Sequence, residues 1–329
     1  MLFRSCHRIG GAEMNLVQVG LLAATGACAQ AAPPGAAELV DALSGVFGKH
    51  AGARASHAKG VCVHGHFAPD AQALQVTHGP LWQEKKVPLQ GRFSVGGGNP
   101  RATDKGKTVR GLALHIGTGW DLVLISAPVF MVATPEEFVG FMAARQPDPA
   151  TGKPDVDKVK AFNEKTPSTR AQIDYLSQAQ VPASYAQAPY WAVNAFQFTN
   201  AQGKQSHGRW RLEPKAGLVG LTDEQLATFS DDFLLHELKQ RLGKDSVIFN
   251  VWLQLAGPQD DVKNPSVAWS SANTEVRMGQ IVISGLSDAC DPSMFNPAVL
   301  PQGQALSEDP TLLVRAGSYG VSLSRRLQP

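Results

Sequence analysis

The sequence predicts an α+β fold, a single eight-stranded antiparallel β-barrel surrounded by helices. Three observations carry that expectation. Short apolar runs broken by Gly, Pro and Asn recur from Val61 to Gly285, and period-two alternation within them is the mark of strands with one buried face. Stretches with helical start and stop signals interrupt these runs instead of alternating with each of them. About eight such strands close more favourably than they lie open, because closure removes the unpaired edges.

The elements follow in order. VCVHGHF (61–67), GRFSV (91–95), VRGLALHI (109–116), WDLVLI (120–125) and PVFMV (128–132) read as strands, with alternation clearest from Arg110 to Ile116. TPEEFVGFMAAR opens a helix, with Thr134 as N-cap, Pro135 in the first turn and Glu137 as the capping-box acid. The polar, Lys-rich and Pro-punctuated stretch 147–181 reads as helical surface connections. Strands resume at NAFQFTN (194–200), HGRWRLEP (207–214), SVIFNVWLQLA (246–256) and MGQIVISG (278–285). Between the second and third of these, one amphipathic helix is expected from Asp223 to Leu242, capped by Thr222 and stopped by Gly243. Asp309-Pro310 starts a last helix, which runs through SRRL and tolerates Gly317 and Gly320.

With 329 residues, 43% of them hydrophobic, the chain is long enough to bury a substantial core. Its 30 basic and 28 acidic residues leave a net charge of +2 with no long single-sign block, which argues against a nucleic-acid partner or an anionic surface. Residues 1–31 read as a secretion signal: Arg4 and Arg8 precede an apolar run from Leu16 to Ala29, with small residues suited to cleavage near Ala29 or Ala31. That run is too short to span a bilayer, and Met14 is a competing start. Thr25 disfavours lipid attachment at Cys28. A periplasmic or secreted protein is expected, cytoplasmic if the leader does not function, with residues 32–329 forming one domain.

Beyond the leader stand Cys62 and Cys290, in no metal-ligand spacing. Two buried free thiols are the expectation, since a disulfide requires Cα atoms within about 7 Å.

Individual motifs say little about chemistry. Arg315 and Tyr319 stand four apart, on one face of the last helix; a guanidinium beside a phenol favours the phenolate, though the spacing is common. His57 alone is as ordinary as any polar histidine. His64 and His66 share one strand face but lack a third ligand at zinc spacing, so they read as solvent-facing. No GxSxG occurs, and GGGNP (96–100) lacks the strand-turn-helix context of a phosphate loop.

Taken together the motifs are specific. RASHAKG (54–60), GRFS (91–94), RGLALHI (110–116), WDLV (120–123), PVFMVATPEEF (128–138), DVKNPSVAW (261–269) and RAGSY (315–319) resemble, in order, the catalase superfamily and in particular the short catalase-related haem peroxidases. The resemblance covers roughly Leu43 to Arg326. It implies a haem b inside the barrel, with the Tyr319 phenolate as iron ligand and Arg315 beside it. It implies His57 as the distal acid and base, with Ser94 orienting its ring. Arg54 and Arg92 would pair with the propionates, Phe138 would pack on the porphyrin, and Arg211 would fall near the proximal ligand. Relative to large catalases, Ile125 and Ser126 replace an Asn-Asn pair after WDLV, and the chain ends soon after Tyr319 as a truncated catalase-like core. The expectation is therefore a peroxidase with weak catalase activity, using peroxide and a small organic reductant, monomeric or homodimeric, without NADPH or a membrane span. Hydroperoxide rearrangement, as in allene oxide synthases, and haem binding without turnover are the alternatives.

Overall fold

A computed structural model describes residues 32–328; the expected leader lies outside the described residues. The strands are β1 (Gly60–Pro69), β2 (Val87–Val95), β3 (Arg110–Ile116), β4 (Trp120–Ile125), β5 (Val181–Pro182), β6 (Tyr190–Trp191), β7 (Phe196–Thr199), β8 (Gln205–Pro214), β9 (Gly220–Leu221), β10 (Val247–Leu255), β11 (Glu275–Leu286) and β12 (Gln304–Leu306). The helices are α1 (Ala36–Phe47), α2 (Pro135–Ala143), α3 (Val156–Lys165), α4 (Arg170–Gln178), α5 (Asp223–Thr228), α6 (Phe233–Leu242) and α7 (Pro310–Leu327).

Eight strands close an antiparallel barrel in the order β10-β11-β1-β2-β3-β4-β6-β8, with β8 pairing back onto β10. β7 and β12 extend the sheet from β8. The strand total is as expected but its membership differs. Of the nine runs read as strands, PVFMV is irregular and NAFQFTN, as β7, lies outside the closed wall; the two-residue β6 completes the eight. Pro128 cannot donate to a ladder, and Phe130 N–H bonds the carbonyl of Pro265 instead of a strand neighbour.

Strand periodicity divides the residues between two environments. Leu89 and Phe93 of β2, Leu112, Leu114 and Ile116 of β3, and Trp120, Leu122 and Leu124 of β4 belong to the barrel's packed interior. Trp82, Trp120 and Trp210 mesh there, the last two with ring centroids 5.1 Å apart. The alternate residues Arg92, Ser94, Gly111, Ala113, Val123 and Ile125 face outward, toward α1, α2 and α7.

Thr134 caps α2 as expected, its hydroxyl accepting from Glu137 N–H; the Glu137 carboxylate accepts from Ala133 N–H, one residue before the cap. The single helix expected over Asp223–Leu242 is two. Thr222 and Gln225 form a capping box for α5, but the chain extends at Phe229 before α6 begins. Tertiary bonds to the break outweigh helix propensity: Lys59 bonds the Asp231 carbonyl and the Asp232 carboxylate, and Thr103 bonds the Asp231 carboxylate. α7 forms as the Asp-Pro signal predicts, with Asp309 accepting from Thr311 and Leu312 N–H. Among the described residues, no helix is long and apolar enough to cross a membrane.

Candidate active site

The main cavity, about 760 Å³, is bounded by the outward faces of β2, β3 and β4 and by α1, α2 and α7. It lies outside the barrel wall. The expectation of a cofactor within the barrel is thereby corrected, because eight strands leave room only for the side chains that already fill that space.

His57 enters the cavity from the segment between α1 and β1, and among the described residues only this non-glycine residue has positive φ, at 54°. A residue with a Cβ held there costs about 1–3 kcal/mol, so its neighbours must impose it. Arg92 donates to the carbonyls of His57 and Ala58 at 2.7 and 2.8 Å, and Ser94 Oγ lies 2.9 Å from His57 Nδ1. Gly111 supplies the space: a Cβ there would sit 2.4 Å from Ser94 Oγ and 2.6 Å from His57 Nδ1. Burial, then the charges of Arg92 and Arg315, push the His57 imidazole down to about 4. The ring is therefore neutral at pH 7, with only its free edge toward the cavity.

Tyr319 enters from α7. Arg315 Nη2 donates to its phenolic oxygen at 2.7 Å, and Nη1 donates to Asn194 Oδ1 at 2.7 Å. Asn194 is buried and gives its amide to Asp309 and Thr311, so the N-terminal cap of α7 also anchors the guanidinium. Sequence reading placed Asn194 at the start of the strand NAFQFTN and missed its role; β7 begins only at Phe196, leaving Asn194 in the preceding bend. The helical spacing of Arg315 and Tyr319 did predict their contact.

A third group gathers positive charge. Arg54 donates to the carbonyls of Ser293 and Cys290, and Arg326 donates to the same Ser293 carbonyl. Arg92 Nε is buried without a hydrogen-bond partner, 3.6 Å from the exposed Asp291 carboxylate. Burial, then the charges of Arg92 and Arg326, push the Arg54 guanidinium down to about 9. Three half-buried to buried cations sharing one acid leave a demand for further anions. Arg326 was missed too, since two arginines ending a helix read as ordinary dipole partners.

Phe138 on α2 lines the cavity and lies parallel to Phe130, with centroids 6.3 Å apart and planes within 7°. Arg211 does not line the cavity. It sits on the outer face of β8 in a two-bond pair with Glu275, so its proposed place beside Tyr319 is corrected. His64 is exposed and His66 half-buried on the outer face of β1.

The cysteines are not free thiols: Cys62 and Cys290 form a disulfide, with Cα atoms 5.6 Å apart. A separation of 228 residues hid this pairing from sequence reading. The bond ties the segment carrying Asp291, Ser293 and Phe295 to β1 beside the arginines.

These residues fit a haem. The cavity offers an apolar lining, a phenol on its helical wall, a neutral imidazole on its strand wall, and arginines short of anions that two propionates would supply.

Comparison with known proteins agrees. A family model described as Catalase matches residues 38–329. A catalase-related peroxidase of Synechococcus elongatus is 36% identical over 297 residues, covering 88% of each chain. One from Mycolicibacterium paratuberculosis is 31% identical, covering 88% of this chain and 94% of that one. In structure, a fungal catalase superposes with a TM-score of 0.78 at 22% identity, over 85% of this chain and 60% of that one. Catalase A of Saccharomyces cerevisiae gives 0.76 at 21%, over 98% and 67%. The chain belongs to the catalase family.

Proposed function

We propose that this protein is a haem b peroxidase, reducing hydrogen peroxide or a small organic hydroperoxide with two one-electron donors: ROOH + 2 AH → ROH + H2O + 2 A•. The observation that carries the reading is the convergence on one cavity of His57, braced by Ser94, and Tyr319, braced by Arg315.

Bound there, the haem iron supplies the redox chemistry that breaks the O–O bond. Arg54, Arg92 and Arg326 would hold the propionates, Tyr319 would ligate the iron, and Phe138 would pack on the porphyrin. With Nδ1–H donated to Ser94 Oγ, His57 Nε2 keeps its lone pair for the proton of one peroxide oxygen and returns that proton to the departing oxygen. Gly111 lets the ring lie against the strand wall. Ile125 lines the cavity and Ser126 is committed to Arg110 N–H at 2.8 Å. No amide stands there to orient a second peroxide, which favours the peroxidase cycle over dismutation.

Export to the periplasm or medium is part of this reading. The disulfide supports it, because such bonds persist in oxidising compartments. A monomer or homodimer is the proposed assembly.

One equivalent of hydrogen peroxide should change the visible spectrum of the purified protein within seconds, and a small phenol should restore it. An unchanged spectrum would mean haem carriage without turnover. Consumption of a lipid hydroperoxide with no added reductant would mean rearrangement.

A further inference from the structure

The cavity holds one more arginine, which no step above uses. Arg145 follows the C-terminus of α2 and lines the same space as His57 and Tyr319. Its guanidinium lies over the Phe141 ring, and it donates to the Phe141 carbonyl at 3.2 Å and to Asn163 Oδ1 at 2.9 Å. Those bonds use two of five N–H donors. Among the described residues, no carboxylate pairs with it. Burial pushes its guanidinium down, to about 10. The arginine group beside Asp291 answers the demand of one dianionic cofactor; Arg145 is a separate cation at the α2–α3 side. The surrounding lining is apolar, with Leu43, Phe130, Phe141, Met142 and Val159.

A half-buried guanidinium with free donors beside hydrocarbon walls is the complement of a molecule with one carboxylate and an apolar body. We propose that Arg145 anchors the carboxylate of an aliphatic organic acid whose hydrocarbon lies along the α2 side of the cavity. This deepens the peroxidase reading by naming the peroxide it would favour, an acid-bearing alkyl hydroperoxide, but the binding claim stands on Arg145 itself.

The test is calorimetric titration of the haem-loaded full chain, in which Arg54, Arg92 and Arg326 would already hold the propionates, with decanoate and with decanol, neither of which turns over. The parent should bind decanoate about tenfold more tightly than decanol. Arg145→Gln should lose that preference through weaker decanoate binding alone, and Arg145→Lys should keep part of it. A merely structural arginine would instead lower the melting temperature and weaken both ligands equally. The proposal is overturned if the parent does not distinguish the two probes, or if Arg145→Gln binds decanoate as the parent does. Should Arg145→Gln not fold, the parent's preference and its retention in Arg145→Lys decide the matter. Because no peroxide is present, failure of the peroxidase reading would leave this result standing.

Discussion

The two faces of β2, β3 and β4 are made by the same residues' neighbours and do opposite things. Inward, Phe93, Leu112, Leu114, Trp120 and Leu122 fill space completely. Outward, Ser94, Gly111, Ala113 and Val123 leave space, and the cavity occupies it. Large side chains on one face supply the stability that lets the other face carry small ones and a buried arginine, against which the strained His57 is held. Period-two alternation thus separates folding from chemistry along a single strand.

Trp120→Ala strikes only the inner face. It should lower the unfolding free energy by about 3–5 kcal/mol, measured by denaturant titration, because it deletes a wholly buried indole. An effect near zero would mean that the barrel interior is not the stabilising half.

Replacing Cys62 and Cys290 together by Ala should cost about 2–4 kcal/mol in the same titration. Haem affinity should fall as well, since the bond tethers the segment whose carbonyls hold Arg54 and Arg326. Undiminished haem affinity would show that this segment needs no tether.

Gly111→Ala strikes only the outer face. The new methyl meets Ser94 Oγ and the His57 ring, so the peroxide step should slow by about a hundredfold, the scale expected for a displaced catalytic group. Stability should change far less than in Trp120→Ala. Equal loss of stability in the two variants would erase the distinction between the faces.

The last effect is in pH, and it is absent at neutrality and grows only on acidification. Because the folded His57 titrates near 4 and the unfolded one near 6.5, the unfolded chain takes up the proton first as pH falls. His57's contribution to stability is complete above about pH 6.5 and declines down to about pH 4. The acid limb of the peroxide reaction should likewise appear near pH 4; a limb near 6.5 would mean a solvated ring.

Much of this was legible in the chain because the signals were local. Alternation marked the long strands, Asp309-Pro310 marked α7, and an i, i+4 spacing joined Arg315 to Tyr319. What was not legible depended on partners far away in sequence. Asn194 reaches Arg315 across 121 residues. Asp231 and Asp232 break a helix through contacts with Lys59 and Thr103, and Cys290 meets Cys62 only once the barrel has closed. Gly111 stood in plain view within RGLALHI, yet its function as a spacer is visible only against the His57 ring. Arg211 shows the converse: a motif position suggested a site, and although the side chain points outward as the cavity-lining residues do, β8 lies elsewhere on the barrel wall, where Glu275 takes the guanidinium.

The most direct test of the account is the absorption spectrum of haem-loaded protein before and after Tyr319→Phe. The parent should show a stable haem band, and the variant should lose haem or show altered ligation, because the phenolic oxygen that Arg315 holds is gone. Full haem occupancy with an unchanged spectrum in Tyr319→Phe would contradict it.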